Sequence, residues 1–187
     1  MHFDDIHDRI FLWVKATVSN PQDNSTGLEQ KTSVDLVVKE FMADLVITIA
    51  VDEDESFSLL QRKDIPDGMS DDALFALAKK NLTEQVEFNL SGTSYGGYGI
   101  LAGGDHEAGA LCLEFIWDAV AKQAGEDVVV AVPARDCLFM AVASDQAQVA
   151  AMIDISRDIF TQGERTLTDT LFLFHADTRT FSVYGTL

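Results

Sequence analysis

The chain has 187 residues, 47% of them apolar, and its 31 acidic residues outnumber its 13 basic ones to leave a formal net charge of -18. That length and composition fit a single folded domain with a sizeable core and exclude a disordered chain. The charge repels phosphate backbones and anionic lipid surfaces, so no nucleic-acid partner and no membrane partner is expected. It leaves an acidic face that suits a basic protein.

Residues 3–18 place Phe3, Ile6, Ile10, Trp13 and Val14 at helical spacing, which predicts an amphipathic helix. Residues 19–31 are polar, contain Pro21 and Gly27, and read as a loop. Residues 1–31 are therefore expected as a helix-and-loop appendage on the domain. Val34, Leu36 and Val38 alternate with polar neighbours and suggest a strand. Residues 45–51 are apolar on both faces except at Thr48, as in a central strand. Acids at 52–55 then turn the chain into residues 56–60, giving an antiparallel hairpin.

Ser70 is an N-cap followed by Asp71 and Asp72, and a helix is predicted from there to about Val86, with Leu74, Leu77, Ala78 and Asn81 on one face. The amide of Asn81 on that stripe is expected to bond the backbone of a neighbouring loop. Strands are predicted from Phe88 and over 98–102, the second inside the glycine-rich stretch 92–104. Leu113, Ile116, Trp117, Val120 and Ala124 form a helical stripe ended by Gly125 as a left-handed cap. Two strands follow, 128–132 and 137–142, then a helix capped by Asp145 and a closing hairpin, 171–175 against 180–184. Helices and hairpins alternate without a β-α-β rhythm, so the predicted class is α+β, a mostly antiparallel sheet with several packed helices in a single domain.

Cys112 and Cys137 are too few for a disulfide framework and lie among apolar neighbours, which reads as buried thiols of a reducing compartment. The start of the chain lacks the basic and apolar blocks of a signal peptide, and no run approaches the ~18 apolar residues of a membrane helix. A cytoplasmic location is expected.

The polar residues best placed for chemistry lie between Gly103 and Asp136. Gly103 and Gly104 lead into Asp105, His106 and Glu107, while the apolar strand over 128–132 delivers Pro133, Arg135 and Asp136 to its end. Pro133 denies the ladder a donor, so the strand ends or becomes an edge there. Arg135 then either pairs with Asp105 or Glu107 and fixes the glycine turn, or holds a carboxylate ligand in its fork. Three consecutive side chains diverge, so Asp105, His106 and Glu107 do not read as a metal site, and no zinc-type pairing of Cys and His is present. No nucleophile elbow, Walker lysine or dinucleotide glycine fingerprint occurs, and no cofactor is expected.

Asp44 to Ile47 followed by Asp52, then Met69 to Leu74 with Ala78, Asn81 and Leu82, together with Gly103 to Ala108 and Ala131 to Asp136, occur in an order that resembles the bacterial YtpQ-like family, domain of unknown function 1444. The resemblance covers about residues 44–142. His106 and Gly109 stand where that family would carry an aromatic residue and a serine. It implies a soluble cytoplasmic α+β protein of bacteria without an established activity, and it supplies no catalytic residue.

Two functions of different class follow. One is a non-catalytic binding or protein-interaction module, inhibitor- or immunity-like, whose acidic surface meets a basic protein. The alternative is a small hydrolase or transferase with its site at Asp105, His106, Glu107, Arg135 and Asp136, where a histidine and carboxylates stand beside an arginine.

Overall fold

Residues 10–14 are five successive apolar side chains, all of them buried. A computed structural model of the chain, describing residues 2–17, 35–53 and 56–187, places them in a strand. This strand, β1 (Ile10–Ala16), belongs to a first sheet with β2 (Lys39–Met42), β3 (Leu45–Asp52) and β4 (Phe57–Leu59). The helix expected over 3–18 is thereby corrected; a short 3-10 turn, Phe3–Asp5, precedes the strand. Phe11 and Leu12 are as buried as the residues at helical spacing, so no solvent face is left for an amphipathic helix. Nor are residues 10–16 an appendage, since they pair along β3 from Ile10 opposite Val51 to Ala16 opposite Leu45. The loop expected over 19–31, and Val34, lie outside the described residues.

Strand β3 is central, as its two-sided apolar run predicts. Opposite β1, its other edge is shared, with β2 beside Leu45 to Ile47 and β4 beside Ala50 to Asp52. The single polar side chain of the run, Thr48, is fully buried and donates to the carbonyl of Val37 at 2.9 Å. The strand suggested by Leu36 and Val38 begins later, at Lys39, and Leu36 forms only an isolated bridge with Gln61.

The second sheet is wholly antiparallel. It contains β5 (Asn89–Gly92), β6 (Tyr98–Leu101), β7 (Val128–Ala134), β8 (Cys137–Val142), β9 (Thr170–His175) and β10 (Thr180–Thr186), in the order β10-β9-β7-β8-β6-β5. With α1 (Asp71–Gln85), α2 (Glu114–Ala124) and α3 (Gln146–Gln162), the fold is a single-domain α+β fold. None of these described helices is long and apolar enough to cross a membrane.

Local chemistry explains the helix ends. Ser70 and Asp145 accept from the backbone N–H groups of Ala73 and Gln148, and Gly125 ends α2 at φ 73°. The two faces of β7 divide the packing. Val129 and Ala131 meet α3 through Val149 and Met152, while Val128, Val130 and Val132 join the larger core shared with the first sheet. Trp117 of α2 packs in that core against Phe174 and Phe181, with ring centroids 4.9 and 4.6 Å away, and its indole N–H donates to Ala110. Helix α1 lies on β1, where Asn81 donates to the carbonyls of His7 and Ile10 at 2.9 and 3.0 Å. The expected amide-to-loop bond is therefore present, and it anchors the chain entering β1.

Candidate functional site: the glycine turn at the end of β7

Gly103 and Gly104 both adopt positive φ, 81° and 89°, which turns the chain sharply after β6. A buried 3-10 segment, Glu107–Cys112, follows and lies against β1, β6 and β8 before α2 begins. The turn is held from inside by Glu107. That side chain is only 3% exposed, and its Oε1 accepts from the backbone N–H groups of Ala102 and Gly104, both at 2.8 Å.

The expectation that the strand ends or becomes an edge at Pro133 is corrected: β7 continues through it to Ala134, between β8 and β9, because the missing donor is absorbed by a local irregularity. Its ladder with β8 shifts register between Ala131 and Ala134. On its other edge, where β9 pairs, β7 is continued by the segment around residues 165–168, with Leu167 N–H donating to Pro133 and Arg135 N–H to Arg165. Two arginines thus arrive at one carboxylate. Asp105 Oδ1 accepts from Arg135 Nη2 at 3.0 Å and Arg165 Nη1 at 2.8 Å, and Arg165 also reaches the carbonyl of Gly104. The backbone carbonyl of Arg135 accepts from Ala108 N–H, so both ends of this residue grip the turn. Its guanidinium lies 4.6 Å from the Trp13 ring, a cation–π contact. Burial, and then the nearby Arg165, pull the Arg135 pKa below its ordinary value, with Asp105 opposing.

His106 is half-buried among aromatic rings, with centroids 5.2 Å from Phe11, 5.8 Å from Trp13 and 5.5 Å from Phe57. Burial lowers its pKa below the usual imidazole value, against the attraction of Asp105, Glu107 and Asp52, and leaves it neutral at pH 7. Asp136 sits beside Cys137, whose thiol donates to Asp136 Oδ1 at 3.7 Å. Burial first, and then Asp136, push that thiol up to about 12, and burial does the same to Cys112. Neither is a thiolate nucleophile at neutral pH.

Two clefts flank the cluster and divide its residues. One, of about 510 Å³, has Phe11, Asp52, Gln85, Glu87, Asn89 and His106 among its walls. The other, of about 450 Å³, has Trp13, Lys15, Phe57, Ser58, Gln61 and Arg135. His106 lines the first of these clefts and Arg135 the second. Asp105, His106, Glu107 and Arg135 lie together, and Asp136, which accepts from Cys137, also acts on Arg135 by its charge. Glu107 Oε2, His106 Nδ1 and Arg135 Nε are buried without a hydrogen-bond partner among the described residues. Also among the described residues, no three His, Cys, Asp or Glu side chains are grouped to hold a metal ion.

Sequence reasoning missed Arg165 and Trp13. The first is 60 positions from Asp105 and carries no local motif; the second was assigned to a helix. Asp127, His175 and Ser182 were missed as well, and they meet at the opposite end of β7. No family model, curated protein or solved structure matches the chain.

Proposed function

We propose that this chain is a binding or protein-interaction module that receives a basic protein, with the cluster of residues 103–107 and Arg135 as its scaffold. The observation that carries the reading is the cleft of about 510 Å³ beside His106, whose walls include Asp52 and Glu87 together with Phe11 and His106. Carboxylates at the rim of a partly apolar hollow suit a lysine or arginine side chain, whose stem packs on rings while its head meets charge. The net charge of -18 draws such a partner from a distance. An inhibitor-like role, in which the acidic face masks a basic surface, follows from the same chemistry.

The hydrolase or transferase alternative at Asp105, His106, Glu107, Arg135 and Asp136 draws on the three unpartnered buried atoms. It is disfavoured because Asp105 and Glu107 are engaged within the turn and the histidine and arginine face different clefts. The YtpQ-like resemblance implies no activity and so adds no residue to either reading.

Zero-length carbodiimide cross-linking to a lysine-rich peptide tests the proposal, since it joins a carboxylate only to an amine in direct contact. Cross-links concentrated on Asp52 and Glu87 are expected. An even spread over the exposed acids would remove the cleft from the account.

A further inference from the structure

Beyond the glycine turn, a second group of reactive side chains lies where β9 and β10 meet the start of β7. Asp127 precedes β7, His175 closes β9 and Ser182 lies on β10, an edge strand of the second sheet. His175 pairs with Thr180 in the ladder, so Ser182, two residues on, is its diagonal neighbour on the same face. The imidazole bridges the other two residues. Its Nε2 lies 2.9 Å from Ser182 Oγ, and its Nδ1 lies 3.2 Å from Asp127 Oδ2. Asp127 is fixed in turn, because its other oxygen accepts from the backbone N–H of Ala176 at 2.9 Å.

A carboxylate only accepts, so in the neutral ring the proton resides on Nδ1 and Nε2 is left to accept from the serine hydroxyl. That is the connectivity of a nucleophile, a base and an orienting acid. Ser182 is solvent-exposed, and Asp127 and Ala176 also line a neighbouring open groove of about 1080 Å³, whose walls do not include Ser182 or His175. Asp118, Glu126, Asp127 and Asp177 outnumber Lys122 and Arg179 around that groove.

We propose that Ser182, His175 and Asp127 form a hydrolytic relay acting on neutral or cationic acyl esters, a class the acidic groove admits while repelling anionic ones. Ser182 Oγ bonds to the ester carbonyl carbon as its proton passes to His175 Nε2, and Asp127 stabilises the imidazolium. The adduct expels the alkoxide, which takes that proton and departs as the alcohol. Water then attacks the acyl-serine through the same histidine, releasing the carboxylic acid and restoring the serine. This site is separate from the cleft at His106 and stands whether or not a basic protein binds there.

The same hydrogen bonds would brace the β9–β10 hairpin without any chemistry, and reactivity separates the two cases. The folded chain is treated with a fluorophosphonate probe and the adduct is located by peptide mass spectrometry, with p-nitrophenyl acetate hydrolysis followed in parallel. Labelling at Ser182 is expected, abolished in Ser182→Ala and slowed at least ~100-fold in His175→Gln, the usual lower range for loss of a general base. Ser182→Ala changes an exposed side chain, and a melting curve verifies that each variant is folded. Folded wild type unlabelled at Ser182, or a labelling rate that His175→Gln leaves unchanged, overturns the proposal and leaves the trio as a hairpin brace.

Discussion

At the scale of single residues, His106 is where burial and charge compete most openly. Desolvation lowers its pKa and Arg135 adds to that, while Asp105, Glu107 and Asp52 pull the other way; desolvation wins. With the folded value below the ordinary 6.5, the unfolded chain takes up the proton first as pH falls. The contribution of neutral His106 to stability is thus fully present above the unfolded value and is lost as pH falls through the folded one. Urea unfolding between about pH 8 and about pH 5 should show a steeper loss for wild type than for His106→Gln, since the substitution removes only this titration. Parallel loss in the two proteins would mean that the ring titrates as freely in the folded state as in the unfolded one.

At the scale of elements, α2 enters the core through Ile116, Trp117, Val120 and Ala121, of which Trp117 is the largest. Trp117 is 3% exposed and meets both Phe174 and Phe181. Trp117→Ala should cost about 3–5 kcal/mol in denaturant unfolding, the range for deleting a large buried aromatic; no measurable loss would place the stripe outside the core. This element was legible because its period, its length and the left-handed Gly125 all agree. Ser70 and Asp145 marked the other helices by the same local chemistry. The start of the chain misled because a short apolar run buried on both faces has no periodicity of its own, and chance spacing supplied a helical one. That error carried into the site. Pro133 and the glycines made the meeting of Arg135 with Asp105 readable, since both features are local consequences of backbone geometry. The ring environment of His106 was hidden because Phe11 and Trp13 reach it only from a strand. Arg165 and the Asp127–His175 contact were hidden because they depend on which distant segments lie side by side, a matter of tertiary register that no local pattern encodes, whereas His175 and Ser182 meet across the closing hairpin that the sequence does predict.

At the scale of the whole molecule, the proposed reading joins the surplus of acids over bases to the cleft beside the glycine turn. Long-range charge would bring a cationic partner near, but on its own it would bind it anywhere on such a surface and fade steeply with salt. A particular cleft adds what the average field cannot, a hollow with rings for a side-chain stem and carboxylates for its head. On the proposed reading, binding is localised at the cleft beside His106. It is tested most directly by calorimetric titration of a lysine-rich peptide into wild type and into Asp52→Asn/Glu87→Gln, at low and at near-physiological salt. The account predicts about a tenfold weaker association for the double variant, as for two charge pairs of modest strength, and a difference that persists at the higher salt. Equal affinity in the two proteins at both salt concentrations would contradict it, because the attraction would then belong to the surface at large.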